Sequence, residues 1–317
     1  MKEKLNNKIH VEGYLYQHKL EKKVTGPDSQ NPGVEYITGS IEIATDDNLV
    51  NIIPVHFQYV TATTKSGRAN VTYTTLSNII SGVYGSMMAH GVDNAVKLKM
   101  DSAIGVNDFY SYRTNPPELI SAKRNEGSFN LDVVTGELVA EPLRSQFHVD
   151  MVITNTTYVE ADEERKLPEK LVLKGAIFDF KKSLLPVEFS VTNKKAINYF
   201  ESLNVSPTEP VFTELKGNQI AETIVKTIVE ESAFGDPSVR EVKNVRKDYV
   251  VNWARPETYV WDDPSTITDK ELKEAMAARD TYLATVKARS DEYQNRKNNK
   301  ATSAPSAFTV ADAGFKF

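Results

Sequence analysis

Aromatic and basic side chains recur together on the outward faces of predicted strands and in the loops and turns that connect them. Rings on such a face offer π surfaces on which unpaired bases stack, and lysine or arginine nearby neutralises the phosphates. In the first half of the chain these residues are Tyr14, Tyr16, Tyr36, Lys65, Arg68, Lys123 and Arg124. In the second half they are Lys174, Phe178, Phe180, Lys181, Lys182, Arg246 and Lys247. Together they predict a surface that binds single-stranded nucleic acid.

These residues also have a purely structural interpretation. Rings that pack beneath loops or between modules, and basic pairs that only solubilise a strand edge, would produce the same pattern. The pairs at 123–124 and 246–247 each follow an apolar residue on the last predicted strand of their half. No single residue separates the two interpretations, so the binding hypothesis depends on the whole face.

The elements that must position these residues occur twice in the sequence. Three anchors recur in the same order and at similar spacing: His-Val-Glu/Asp at 10–12 and 148–150, glycine at 39 and 175, and Pro-Val-x-Phe at 54–57 and 186–189. Repetition of this kind predicts two tandem copies of one β-rich module.

Each module is predicted to have the order β-β-β-α-β-β. The first has strands at 8–21, 35–44, 50–62, 95–110 and 119–133, with a helix at 73–90. The second has strands at 147–159, 170–180, 184–192, 211–229 and 239–253, with a helix at 194–203. This is the order of the five-stranded OB barrel, in which closure removes exposed sheet edges. A β-sandwich would fit the number of strands but leaves the helix unexplained.

The predicted fold is therefore mainly β, with two tandem OB-like five-stranded barrels at 1–140 and 141–265. A C-terminal helix follows at 266–297, and Thr268 with Glu271 forms a capping box at its start. Residues 298–317 are predicted to be a flexible linker and a terminal docking peptide. Three rings in this peptide are candidates for contact with a partner protein: Phe308, Phe315 and Phe317.

Composition narrows the function further. The net charge of −5, from 38 basic and 43 acidic residues, is unlike that of a strongly basic nucleic-acid-binding domain, so polyanion binding must use a local stripe. The absence of cysteine excludes thiolate metal sites and a cysteine nucleophile, and it favours a reducing cytoplasm. Neither a signal peptide nor a membrane span is expected, because no apolar run is long enough.

Motifs for enzymatic chemistry are absent. The sequence has no phosphate-binding glycine loop, nucleophile elbow, His-Glu-x-x-His or EF-hand motif, so no enzymatic activity, cofactor or metal is predicted. His10, His18 and His56 are the one metal-like set, since they could approach each other across neighbouring strands. Solvated histidines on a sheet face are the favoured interpretation of these three residues.

The duplicated modules, the linker and the terminal peptide together resemble the OB-fold single-stranded DNA-binding proteins of bacteriophage and bacterial replication. The resemblance implies a non-enzymatic protein that coats single-stranded DNA, independently of sequence, during replication or recombination. It also implies a cytoplasmic location, in a bacterial host if the chain is phage-encoded, and it allows a homo-oligomer.

The terminal peptide departs from that family, whose tail usually carries several acidic residues. Here only Asp312 is acidic, and Lys316 stands beside the terminal Phe317. The resemblance therefore implies docking of replication or recombination proteins without specifying the usual partner. The alternative is a phage structural or assembly protein that uses the barrels and the aromatic tail for protein–protein contacts.

Overall fold

The computed structural model describes residues 5–27, 29–127, 130–162, 167–230, 234, 238–261 and 267–302 of the 317-residue chain. The described residues form a mainly β fold, with one large eleven-stranded sheet and a C-terminal helix. The strands are β1 Asn7–Val24, β2 Glu35–Ala44, β3 Ile52–Thr61, β4 Lys97–Ser111, β5 Glu118–Glu126, β6 Leu131–Val133, β7 Ser145–Val159, β8 Lys170–Phe178, β9 Leu184–Val191, β10 Val211–Glu230 and β11 Ser238–Ala254. The α-helices are α1 Val71–Ile80, α2 Met87–His90, α3 Lys194–Ser202 and α4 Asp269–Thr302.

The predicted order of elements recurs in both halves, with two differences in the first. The helix expected at 73–90 is divided into α1 and α2, because α1 ends at Ile80 with Ser81 as its C-cap, and Gly82 follows with a φ of 77°. Glycine adopts this left-handed conformation without steric cost and commonly ends helices. The strand expected at 119–133 is divided into β5 and β6.

Strand pairing in each half returns to the strand where it began. In the first half β1, β2 and β3 are antiparallel neighbours, β3 pairs in parallel with β5, β5 pairs with β4, and β4 pairs again with β1. In the second half the same circuit runs through β7, β8, β9, β11 and β10 and back to β7. Antiparallel pairing of β1 with β7 joins the two circuits into one sheet.

Two glycine anchors stand where neighbouring strands approach most closely. A Cβ atom at Gly39 would overlap the backbone carbonyl of Lys19, and one at Gly175 would overlap the carbonyl of Val152. The pairing register shifts beside each glycine, because β3 has one extra residue opposite the segment of β2 that ends at Gly39, and β7 has one extra residue opposite Gly175. A glycine on the inward side of a predicted strand indicates a bulge or a sharp coil. The structure has a bulge beside each glycine, and the repeated glycine has a steric reason.

Replacing Gly39 by alanine is expected to lower the free energy of unfolding by about 2 kcal/mol, because its φ of 121° is strained for any other residue and the new Cβ has no space. Urea denaturation monitored by circular dichroism measures this change. Gly26→Ala is the matched control, since no atom lies within 4 Å of its added Cβ. Equal stability of the two variants would contradict the steric explanation.

The repeated His-Val-Glu/Asp anchor also has a structural role. The carboxylate of Glu12 accepts a hydrogen bond from the backbone amide of Val139 at 2.7 Å, and that of Asp150 accepts one from the amide of Asn6 at 2.7 Å. Both side chains are buried, although alternation along the sequence predicts that Glu12 lies on the outward face with Tyr14 and Tyr16. Buried carboxylates need such donors, and each one holds a segment of chain against its half.

The main hydrophobic core extends through both halves. Phe147 on β7 stacks on Phe189 of β9 with ring centres 4.9 Å apart, and Tyr249 of β11 lies within 6 Å of both rings, at 5.8 and 5.9 Å. Ile9 of β1 belongs to the same cluster of buried side chains as these two phenylalanines. The halves therefore share apolar surface as well as backbone hydrogen bonds.

The C-terminal helix begins as predicted and packs against the sheet. Glu271 accepts a hydrogen bond from the amide of Thr268 at 3.0 Å, and its own amide donates to the Thr268 hydroxyl at 3.2 Å, which completes the capping box. Ile267 and Ala275 cover Phe178, which is 1% exposed. The prediction that Phe178 presents a ring to solvent is therefore wrong.

One buried ion pair fastens α4 to β4. Arg279 donates to Asp108 at 2.7 Å and to the carbonyl of Leu184 at 3.2 Å, and the Asp108 side chain is 2% exposed. Further along the helix, Tyr112 donates to Asp291 at 2.6 Å. None of the described helices combines the length and hydropathy needed to cross a membrane. The predicted docking residues Phe308, Phe315 and Phe317 lie outside the described residues.

Candidate nucleic-acid interface

A pair of tyrosines forms the aromatic part of the site in the first half. Tyr36 on β2 and Tyr59 on β3 have ring centres 4.7 Å apart and tilted by 38°. The Tyr59 side chain is 49% exposed, so one ring of the pair presents a face to solvent. An exposed ring held against a second ring is suited to receive a stacked base.

A basic loop follows the end of β3 near this tyrosine pair. Thr61, the last residue of β3, pairs with Tyr36, and the loop that carries Lys65 and Arg68 begins directly after it. The loop is closed by a bridge between Thr63 and Ala69. Both basic side chains are exposed, and neither forms an ion pair with any residue that the structure describes. They are therefore accessible to an anion that crosses the end of the sheet.

Tyr14 and Tyr16 do not join this pair. Lys97 of β4 lies 5.8 Å from the ring centre of Tyr14, which places Tyr14 beside the β1–β4 contact. The register of β1 shifts between Leu15 and Gln17, so Tyr16 occupies a bulge. Both tyrosines are half-buried.

The largest concentration of predicted basic residues lies between the two halves. We call this feature the lysine cleft and define it by Lys123 of β5, Lys170 and Lys174 of β8, and Lys247 of β11. With Glu188 and Asp248 these lysines line a cleft of about 500 Å³ that also includes Gly175. Four lysines face two carboxylates, so the cleft is positive in a chain whose net charge is −5. A local basic stripe of this kind was predicted from the composition.

Lys123 reaches from the first half into the second. Its ammonium group lies 3.9 Å from the ring centre of Tyr249 and 4.9 Å from that of Phe189, and it donates to the backbone carbonyl of Glu188. Burial lowers the pKa of Lys123 to about 8, against the opposing influence of Asp248 and Glu188. Near neutral pH Lys123 is thus a charged group that lacks full solvation.

The two carboxylates of the cleft offset part of its positive charge. Lys170 is 2.8 Å from Asp248, and Lys174 is 3.4 Å from Glu188. Burial would raise the pKa of Asp248, but hydrogen bonds from Lys170 and Ser190 and the lysine charges hold it below its usual value. Asp248 is therefore ionised at neutral pH.

The outer face of β3 leads from the tyrosine pair toward the lysine cleft. His56 lies on this face three residues before Tyr59, which corresponds to about 10 Å along a strand. Burial lowers the pKa of His56, and the charges of Arg124 and Lys247 lower it further. Arg124 is held by Glu126 at 2.6 Å. Lys247 thus belongs both to the cleft and to the charged surroundings of His56.

The remaining predicted residues lie apart from the cleft. Phe180, Lys181 and Lys182 form the turn between β8 and β9, where Phe180 is 91% exposed and the Lys181 ammonium lies 5.5 Å from its ring centre. Arg246 pairs in register with Glu222 on the β10–β11 hairpin. Neither this turn nor Arg246 lines the lysine cleft.

The three histidines weighed as metal ligands do not converge on one face. His18 pairs with the buried Ile41, because the bulge in β1 reverses the faces of the residues that follow it. His56 pairs instead with Ser40, on the opposite face. His10 is bound to Asp101 at 2.7 Å. In the described part of the chain, no three metal-binding side chains come together.

Three residues of the interface were missed by the sequence interpretation: Lys170, Tyr59 and Tyr249. Lys170 had a usable signal, since it stands four residues before Lys174 and must share its face on a strand. Strict alternation along β3 predicts that Tyr59 faces inward. The register slip between Ile37 and Gly39 turns its side chain outward instead. The position of Tyr249 between the halves depends on how the halves pack against each other. No pattern in the sequence indicates that packing.

These strand pairings and the lysine cleft define a mainly β protein with a basic surface shared by two similar halves. The chain belongs to the YorF family, whose model matches residues 5–289. No curated protein matches it significantly.

Solved structures similar to this chain include the wild-type single-stranded DNA binding protein from Thermus aquaticus, at a TM-score of 0.44 and 8% identity, covering 83% of this chain and 97% of that chain. A deletion mutant of the same protein gives a TM-score of 0.44 and 9% identity, covering 82% of this chain and 98% of that chain.

Proposed function

We propose that the chain is a sequence-independent single-stranded DNA-binding protein built from two tandem OB-like barrels. It would act in the cytoplasm, where DNA is unpaired during replication or recombination, and without catalysing a reaction. The circuits of strand pairing in the two halves support the proposed barrels, because each circuit returns to its first strand.

The observation that carries the proposal is the positive lysine cleft in an acidic protein, together with the Tyr36–Tyr59 pair, in which the Tyr59 ring is exposed. Lysines neutralise phosphates regardless of sequence, and rings stack on any base. Lys247 is exposed and forms no ion pair with any residue in the described part of the chain, so its charge is available to a phosphate.

A second candidate function is protein assembly, and a specific observation favours it. Phe180 is 91% exposed at the tip of a turn, and Tyr293 on α4 is 66% exposed. Aromatic residues are enriched among those that anchor protein contacts. A structural or assembly protein would form a defined oligomer whose size does not depend on nucleic acid, as light scattering would show.

The deciding experiment is a titration of labelled oligo-dT with the full chain, followed by fluorescence anisotropy at two salt concentrations. Binding is expected to weaken steeply with salt. The logarithm of the binding constant should fall by about 0.7 per log unit of salt concentration for each phosphate contact. The absence of any anisotropy change at low salt would exclude single-stranded DNA as the ligand.

Tyr59→Ala is expected to weaken oligo-dT binding about tenfold, because one stacked base contributes about 1–3 kcal/mol. The same anisotropy titration measures the change. Tyr282→Ala is the control, since Tyr282 is similarly exposed (48% against 49%) but lies on α4. If both variants bind like the wild type, the tyrosine pair is not a base-stacking site.

A further inference from the structure

The lysine cleft lies between the two halves of the chain and is built from both. Lys123 comes from β5 of the first half, whereas the other three lysines come from β8 and β11 of the second. The hydrogen bond from Lys123 to the carbonyl of Glu188 spans the junction between the two halves. A ligand in this cleft would therefore contact both halves at once.

The charge and the shape of the cleft indicate what that ligand is. Two of its four lysines have carboxylate partners within 3.4 Å, at Asp248 and Glu188, while Lys123 and Lys247 have no such partner among the described residues. Gly175 contributes only backbone to the wall of the cleft, because the carbonyl of Val152 occupies the place of a Cβ atom there. An open, positive cleft with unneutralised ammonium groups is suited to phosphate groups.

The cleft also continues the surface that begins at the tyrosine pair. The outer face of β3 carries Tyr59 and then His56, and the charges of Arg124 and Lys247 both act on His56. Lys247 in turn lines the cleft. Stacking rings, an arginine and the lysines thus follow one another from the first half to the junction.

We propose that the lysine cleft binds backbone phosphates of a single strand whose bases stack on Tyr36 and Tyr59, so that one strand passes from the first half to the second. This inference rests on the proposed function. It specifies that the junction between the halves belongs to the binding site. Two independent binding faces, one on each barrel, are the arrangement that it excludes.

The double variant Lys174→Gln/Lys247→Gln tests the proposal in the full chain. Removing two phosphate contacts should lower the salt slope of oligo-dT binding by about 1.4, twice the contribution of one contact to a single strand. The matched control is Lys194→Gln/Lys195→Gln, which changes the net charge equally but lies on α3, outside the cleft. Circular dichroism of both variants verifies that they are folded.

The possible results are distinguishable. A lowered slope in the cleft variant with an unchanged slope in the α3 control supports the phosphate site. An unchanged slope in the cleft variant, with wild-type affinity, overturns the site but leaves single-stranded DNA binding intact. Equal losses in both variants also overturn it, because net charge alone would then explain the effect. A wild-type chain that does not bind oligo-dT overturns the proposed function itself.

Discussion

Replacing Arg279 by alanine should lower the free energy of unfolding by about 3 kcal/mol, because the substitution leaves the buried carboxylate of Asp108 without its charged partner. Of its partners among the described residues, Asp108 would retain the hydroxyl of Ser121, which donates to it at 2.6 Å. The helix would also lose the bond from Arg279 to the carbonyl of Leu184. Urea denaturation measures the loss in stability.

A second measurement distinguishes release of α4 from general destabilisation. Trp261 packs in the small cluster beneath α4, beside Leu272, and its indole donates to the carbonyl of Pro210 at 3.0 Å. If α4 detaches, the fluorescence of Trp261 should shift to the red under native conditions. Arg289→Ala is the control, because Arg289 is an exposed arginine of the same helix. A stability loss below about 1 kcal/mol, the usual range for an exposed ion pair, would contradict the buried-pair account.

Lys123→Met is expected to have opposite effects on stability and on binding. At neutral pH it should raise the free energy of unfolding by about 1–2 kcal/mol, because methionine fills similar volume without a poorly solvated charge. It should also weaken oligo-dT binding, because the cleft loses a cation. Urea denaturation and anisotropy titration measure the two effects. Such a trade-off is typical of groups whose pKa is shifted at functional sites.

The pH dependence of the free energy of unfolding tests whether the buried charge of Lys123 causes the stability difference. The pKa of Lys123 is about 8 in the folded chain against 10.5 for a free lysine, so between these values the unfolded chain binds a proton that the folded chain lacks. Stability therefore rises with pH across this window, and the cost of burying the charge is fully present below pH 8. The stability advantage of Lys123→Met should shrink from neutral pH toward pH 10. An advantage that does not change with pH would implicate packing instead of charge.

The charged groups around Lys123 act on its pKa in opposite directions. Asp248 and Glu188 favour its protonated form, whereas Lys170 opposes it. Because the pKa of Asp248 is held below its usual value, Asp248 does not titrate in the same window. Phosphates in the cleft would raise the pKa of Lys123, so wild-type affinity for oligo-dT should fall above pH 8.

The sequence predicted the bounds of the strands more successfully than the elements that pack against them. Alternation of apolar and polar residues located β2 at its observed bounds and indicated the bulge at Gly39, because both depend on contacts within one sheet. The capping box at Thr268 was equally local and was confirmed. Errors appear where a register shift intervened: after the bulge in β1, His18 lies on the inner face instead of the outer one.

Phe178 and Phe180 show the limit of alternation. Both rings were predicted to face outward, yet Phe178 is 1% exposed and Phe180 is 91% exposed. The spacing of apolar residues indicates on which side of a strand a ring lies, but α4 returns from a distant part of the sequence to cover one ring and not the other. Long-range packing of this kind leaves no periodic signal in the strand itself.

From the sequence alone follow the repeated modules, the order of their strands and the need for a local basic stripe in an acidic chain. Only the tertiary structure decided that Lys123 of one half joins Lys174 and Lys247 of the other in a single cleft. The physical reason is that charges on separate strands add only when packing brings them within a few ångströms, and the packing of the two halves depends on shape across the whole interface. Local periodicity specifies each strand, whereas the cleft arises from contacts between residues more than fifty positions apart.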